Sequence, residues 1–270
     1  MTGTNRSNYK IINVMGRTFK VRVLSEEESI ERDRQAKEDK ERERKAYLKQ
    51  LKINSLMDKK FLECNFKNFE ETGDNKRFKD IAFKYTEKFK EMVENNIGLL
   101  MYGIPGTGKS YLSFCIANEL LDKGVSVIAA TSSRILQRVR ELSSFGQERI
   151  DSFINSIQRV DLLLIDDLGA EENNQWAKSK LYEIIDARYR AEKPLIITTN
   201  LDLKTLNKRL TGEDGVARSF DRIIEMCQPI EVDVKPRRRD VGESKRDIFE
   251  RLILWKIYLV KNNQKRKSKI

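Results

Sequence analysis

The sequence predicts an α/β fold, in which one parallel sheet is covered by helices and preceded by a small hairpin and a charged helical extension. Three observations carry this. Five short segments, IGLLMY (97–102), VSVIAA (125–130), DLLLIDD (161–167), PLIITTN (194–200) and PIEVDV (229–234), have strand character. Most are nearly all apolar, as strands buried on both faces are. Helical patterns fall between them, notably Lys109 to Leu121 and Trp176 to Tyr189. The first strand runs straight into a glycine-rich turn, GIPGTGKS, from which the first of those helices leaves.

A chain of 270 residues can bury one substantial core and still carry an appendage. With 39% hydrophobic and 35% charged residues, a sizeable fraction of it is solvated surface or exposed helix. The net charge of +11 favours an anionic partner, either nucleic acid or a membrane surface. The three cysteines, Cys64, Cys115 and Cys227, form no C-x-x-C pair, so neither a zinc site nor a disulfide framework is expected and a reducing cytoplasm fits. The absence of histidine excludes Ser-His-Asp hydrolysis, Cys-His proteolysis and His-containing zinc motifs. The start, MTGTNRSNYK, has no apolar signal core, and LILWKIYLV (252–260) is far short of the roughly 20 residues that span a bilayer. A soluble cytoplasmic protein with no membrane partner is expected.

Residues 9–24 carry β-favouring residues on both sides of Met15-Gly16, the pattern of a hairpin. From Ser25 to about Leu51 the chain is almost all charge, with Glu28/Arg32, Asp33/Lys37, Glu38/Arg42 and Glu41/Lys45 spaced i, i+4 in acid-first order. Ser25 and Glu28 form a capping box at its start. Between Ile30 and Ala46 only Ala36 is even weakly apolar, so this helix has no core-facing stripe there and is free to meet a partner. The expected domains are a partner-binding extension (1–65), an α/β domain (66–246) and a basic tail (247–270) that ends in KNNQKRKSKI.

The turn matches G-x-x-x-x-G-K-[ST], from Gly103 through Ile104, Pro105, Gly106 and Thr107 to Gly108, Lys109 and Ser110. Its glycines let backbone amides close around phosphate oxygens, and the following helix points its N-terminal dipole at them. Lys109 reaches the β- and γ-phosphates, while the Ser110 hydroxyl coordinates Mg²⁺. In VDLLLIDDLGAEE an apolar strand ends in Asp166, which places a carboxylate where it can hold the same ion. Asp167 or the downstream Glu171 polarises the attacking water. Adjacent carboxylates point to opposite sides of an extended strand, so the chain must turn there for both to face the site. Asn200, ending PLIITTN, orients the water or senses the γ-phosphate.

These elements, in this order and spacing, resemble an AAA+ ATPase. More narrowly, GIPGTGKSYLSFCIANEL, VDLLLIDDLGAE and PLIITTNL resemble the replicative helicase loaders of the DnaC/DnaI type and the IstB-type transposition ATPases, over roughly residues 66–246. The resemblance implies strand order 5-1-4-3-2, an incomplete or absent helical lid, ATP and Mg²⁺ as cofactors, and Tyr111 beside the nucleotide loop. It also implies an arginine finger within GVARSFDRIIEM, with Arg222 as the finger and Arg218 supporting it, and a sensor arginine at Arg239 or Arg246. An arginine given across a subunit boundary completes the site only in an assembly. Expected partners are a hexameric replicative helicase, single-stranded DNA and further copies of the chain. The expected activity is slow ATP hydrolysis, because Asp167 stands where many AAA+ proteins have Glu. The zinc module of one loader branch has no counterpart, since the N-terminal region has no cysteine or histidine cluster. For DNA, Arg134, Arg138 and Arg140 with Phe145 combine charge and a stacking ring. The alternatives are a transposition helper and a nucleotide switch that binds the helicase without hydrolysis.

Overall fold

The computed structural model describes residues 9–14, 17–22 and 24–254. The Met15-Gly16 turn and the basic tail from residue 255 onward lie outside them. The chain divides into two compact units, residues 1–50 and 51–270.

In the smaller unit, β1 (Tyr9–Val14) and β2 (Arg17–Arg22) pair antiparallel, with Tyr9 opposite Arg22 and Val14 opposite Arg17. Helix α1 (Glu26–Asn54) starts within this unit and buries no residue. Its start is the expected capping box: the Ser25 amide donates to Glu28 Oε2 at 3.0 Å and the Glu28 amide donates to Ser25 Oγ at 3.2 Å. Of the expected ion pairs, Glu41–Lys45 forms at 2.8 Å. Glu38 instead meets Arg34, four residues before it, at 3.2 Å, and Arg42 meets Asp39, three before it, at 3.6 Å, because residues three and four apart in either direction are neighbours on the helix surface.

The larger unit continues with α2 (Lys76–Glu87), α3 (Phe89–Glu94), β3 (Gly98–Tyr102), α4 (Lys109–Asp122), β4 (Val127–Thr131), α5 (Ser132–Ser143) and α6 (Gln147–Arg159). There follow β5 (Leu162–Asp166), α7 (Gln175–Arg190), β6 (Leu195–Thr199), α8 (Leu203–Leu210), α9 (Arg218–Met226), β7 (Cys227–Glu231) and α10 (Arg238–Phe249), which runs on into one π-helical turn, Glu250–Leu254. The five strands are parallel in the order β4-β5-β6-β3-β7. Counted from β3 as the first, that is the order 5-1-4-3-2.

The last strand differs from its sequence reading, which had it begin at Pro229. It starts two residues earlier, because Cys227 is buried and α9 ends directly at Met226. Pro229 sits inside it without cost: β7 is an edge strand, so the missing N–H is not needed for a second neighbour. The ladder still runs on past β7, with the Val232 amide donating to Tyr102 O at 2.8 Å.

Alternate strand residues feed two cores. Leu99, Met101, Leu162 and Leu164 pack with α2 and α4, whereas Leu100, Leu163 and Ile165 pack with α5, α7, α8 and α9. Met57 and Cys64 belong to the first core, and Phe61 stacks on Phe114 with ring centroids 3.9 Å apart. The segment 57–64, grouped with the extension in the sequence reading, is therefore part of the larger unit's core. Close approach of β3 and β6 rests on Gly98: a Cβ there would lie 2.0 Å from Leu195 O. At the opposite end of the strands from the phosphate loop, the fully buried Arg188 donates to the carbonyls of Ile157 (3.0 Å), Val160 (2.7 Å) and Pro194 (2.6 Å), tying the end of α6 to the entry of β6.

Candidate nucleotide site

The C-terminal ends of β3, β5 and β6 converge on one edge of the sheet. Beyond β3 the chain forms the glycine loop, in which Gly103, Gly106 and Gly108 have φ of 128°, 87° and 94°, a region open to glycine at little cost. Gly108 is the N-cap of α4, so the N-terminal end of that helix, with its amides and the positive end of its dipole, faces the loop. Lys109 is 4% exposed. Its Nζ donates to Gly103 O at 2.8 Å, Ile104 O at 2.7 Å and Thr107 Oγ1 at 3.3 Å. Thr107 Oγ1 donates to Ile104 O at 3.2 Å, and Pro105 is exposed at the loop's tip. Tyr111, in the first turn of α4, lies 5.7 Å ring to ring from Phe69, and burial raises its phenol pKa.

Asp166 ends β5 and is 3% exposed. Its Oδ1 accepts from Thr198 Oγ1 at 2.6 Å, and the Ser110 hydroxyl lies near enough to lower the pKa of the same carboxylate. Burial pushes this carboxyl above its ordinary value and the charge of Asp167 adds to that, while the bonds from Thr198 and Ser110 and the charge of Lys109 oppose. A buried carboxylate touching a hydroxyl at the mouth of a phosphate loop suits a hard divalent cation. Among the described residues no group of three or more His, Cys, Asp or Glu could hold a metal, and Mg²⁺ needs none: it takes one or two carboxylates and completes its shell with phosphate and water.

Asp167, directly after the strand, has φ 55°, unusual for a residue with a Cβ. That is the turn the sequence required for two adjacent carboxylates to serve one site. The Asp167 amide donates to Thr198 Oγ1 at 2.9 Å, and Asn200 Nδ2 donates to Asp167 Oδ1 at 2.7 Å. Glu171, the other candidate, is placed differently. It is 7% exposed, and its Oε2 accepts from Ser132 Oγ at 2.6 Å and from the Gly169 amide at 2.9 Å. This carboxylate holds the loop after β5 to the start of α5.

The two arginines of α9 differ as well. Arg222 Nη2 lies 2.7 Å from Asp186 Oδ1, and its guanidinium sits over the rings of Tyr182 (4.9 Å) and Tyr189 (5.3 Å). Arg218, at the first residue of α9, pairs with the exposed Asp214 at the surface. Arg239 lies in α10 and Arg246 is exposed in its last turn.

The sequence reading missed three residues at this site. Phe69 approaches the glycine loop, 3.7 Å from where a Cβ on Gly108 would stand. The Arg237 amide donates to Gly106 O at 2.9 Å, and its guanidinium donates to Glu70 O at 2.8 Å and pairs with the Glu70 carboxylate. The chain before α2 and the chain after β7 are thus clipped together beside the phosphate loop. No local pattern marks Arg237; the aromatic pair in NFKNF was the available signal for Phe69.

On α5, Arg134 and Arg138 share Glu141 at 3.2 and 3.3 Å, with Glu141 held below its ordinary pKa first by the bond from Arg138. Arg140 lies 4.8 Å over the ring of Trp176, and Phe145 is 75% exposed. Trp176 adds an aromatic surface that the sequence reading placed only within a helix.

Strand order, phosphate loop and strand-end carboxylates define a P-loop nucleotide-binding protein with an AAA+ core. Residues 18–243 match the IstB-like ATP binding protein family, and the chain belongs to that family. The replicative helicase loader DnaC of Escherichia coli (strain K12) is 30% identical over 162 residues, which cover 59% of this chain and 62% of that protein. The chain thus spans about three-fifths of that relative's length. Among solved structures, the DnaC helicase loader superposes with a TM-score of 0.55 at 24% identity, covering 64% of this chain and 99% of that one. DnaI superposes with a TM-score of 0.54 at 28% identity, covering 67% and 94%.

Proposed function

We propose that the chain is an ATP-dependent loader of a hexameric replicative helicase onto single-stranded DNA. The observation that carries the reading is the complete strand-end constellation of Lys109, Ser110, Asp166, Asp167 and Asn200 on a core similar to that of proteins named as helicase loaders.

In this reading the amides of the glycine loop and Lys109 hold the β- and γ-phosphates, and Ser110 and Asp166 hold Mg²⁺, which neutralises charge on the phosphate oxygens when bound. Asp167 draws the proton from the attacking water, and Asn200 fixes the orientation of that carboxylate. The products are ADP and phosphate. Arg222 is the arginine given to a neighbouring copy, leaving its pair with Asp186 to do so, and Arg218 supports it from the surface at the start of α9. Residues 1–65 bind the helicase through the hairpin and the charged helix. Arg140 and Trp176, with Phe145, offer a stacking face to single-stranded DNA. The family match also keeps an IstB-type transposition helper as the second reading.

The test is light scattering after size-exclusion chromatography of the full chain mixed with its host's hexameric helicase, under ATP, ADP and no nucleotide. A complex lost on removing residues 1–50, which leaves the core of the larger unit intact, is the expected result. No complex in any state, with an intact helicase, overturns the loader reading in favour of the transposition helper.

A further inference from the structure

We infer that Thr198 is a positioning residue that sets which divalent cation the nucleotide site prefers, because its hydroxyl occupies one of the two oxygens of Asp166. The inference rests on the proposed role of Asp166 in holding Mg²⁺.

Thr198 lies one residue before the end of β6 and is 1% exposed. Alternation along the strand puts it on the same face as Ile196, which packs with Leu164 in the core under α4, whereas Thr199 follows Ile197 to the other face. Asp166 comes two residues after Leu164 on β5 and so shares that face. β5 and β6 are parallel neighbours, in register from Leu163 opposite Leu195 to Ile165 opposite Ile197, and the next pair along is Asp166 with Thr198. A β-branched side chain is stiff at χ1, which fixes where the hydroxyl stands.

That hydroxyl has a single proton. The Asp167 amide can only donate, and it does so to Thr198 Oγ1 at 2.9 Å. The proton of Thr198 goes to Asp166 Oδ1 at 2.6 Å, so the chain of bonds runs in one direction, from amide to hydroxyl to carboxylate. The Leu168 amide adds a bond to Thr198 O at 2.8 Å, and the positive-φ turn at Asp167 is thereby held on both sides by one residue of β6.

With Oδ1 engaged by a neutral donor, Asp166 offers a cation at most one oxygen. Mg²⁺ is small, keeps much of its water and is served by a single oxygen from a carboxylate. Ca²⁺ is larger, tolerates irregular geometry and readily takes both oxygens of one carboxylate. Groups that hydrogen-bond a metal ligand from behind fix its orientation. Loss of the Thr198 hydroxyl frees Oδ1 and lets the carboxylate turn, which weakens the site for Mg²⁺ and opens it to Ca²⁺.

The experiment titrates Mg²⁺ or Ca²⁺ into the full-length protein with a fluorescent ATP analogue and reads the concentration of each ion that gives half of its effect on analogue binding. Thr198→Val keeps the shape and removes the hydroxyl. It is expected to bind the analogue like the parent in EDTA, to need about 10-fold more Mg²⁺, and to need no more Ca²⁺ than the parent, so the preference between the ions narrows by the same factor. Thr198→Ser restores the hydroxyl and is expected to restore the preference. Thr199→Val removes a buried hydroxyl of the same strand end, one that donates to Leu168 O at 2.7 Å rather than to an acid, and is expected to lose stability while keeping the parental preference. Thr198→Ala gives the same reading if Thr198→Val does not fold. A parental preference in the variants that lack the Thr198 hydroxyl overturns the inference, as does an equal narrowing in Thr199→Val or in Thr198→Ser. If Asp166→Asn abolishes the Mg²⁺ effect while Thr198→Val leaves it parental, only the positioning role falls. If Asp166→Asn itself keeps the parental Mg²⁺ midpoint, the reading of Asp166 as the cation's carboxylate falls and takes this inference with it.

Discussion

Asn200 Nδ2 holds Asp167 Oδ1 at 2.7 Å, joining the residue after β5 to the residue after β6 across 33 positions of sequence. The Asp167 amide and the Asp166 carboxylate both reach Thr198 Oγ1, so one threonine on β6 fixes both acidic residues. Asp167→Asn is expected to lower ATP turnover by about 10²-fold, the lower range for loss of a general base, with ATP binding retained. Parallel measurement of turnover and of fluorescent-nucleotide affinity checks this.

Glu171 separates the two acidic candidates. Its carboxylate is occupied by Ser132 and the Gly169 amide, and a glutamine keeps the acceptor oxygen. Glu171→Gln is expected to keep turnover within about 3-fold of the parent and to lose about 1–2 kcal/mol of stability from weaker hydrogen bonds to a neutral acceptor. A 10²-fold loss for Glu171→Gln with a parental Asp167→Asn reverses the assignment.

Arg188 donates to several carbonyls at the far end of the sheet, and burial lowers its pKa to about 10. Arg188→Ala leaves those carbonyls buried without a donor and opens a cavity, so a loss of about 3–5 kcal/mol is expected in denaturant unfolding. The site chemistry plays no part in this loss.

All three thiols are buried, and burial pushes Cys64 up to about 11 and Cys115 and Cys227 higher still. A raised thiol pKa leaves the neutral form at working pH, and the thiolate is the reactive species. The folded protein is therefore expected to react slowly with a disulfide reagent at pH 8, and all three cysteines to react at once in guanidinium. Rapid labelling of the native chain contradicts the burial.

The parts legible in the sequence share one property, that their geometry follows from neighbours along the chain. Lys109 and Ser110 are set by a contiguous loop, Ser25 and Glu28 by one helical turn, and Asp166 by the end of an apolar run. What was illegible depends on distant partners. Asp167 and Glu171 could not be told apart because the difference lies in Ser132, 39 residues from Glu171. Arg222 and Arg218 look alike on one helix, and only Asp186 on α7 distinguishes them. Arg237 meets Glu70 across 167 residues, beyond any local pattern.

The lysine of the phosphate loop has its own consequence for affinity. Its ammonium is already saturated by Gly103 O, Ile104 O and Thr107 Oγ1, so a ligand must replace internal bonds before it gains new ones. The measured affinity is then an exchange free energy, small for any ligand that offers a single phosphoryl group and large only for one whose terminal oxygens compete for the ammonium. A loop built this way is expected to discriminate by phosphate count, and competition of AMP and ADP against a fluorescent ATP analogue checks it.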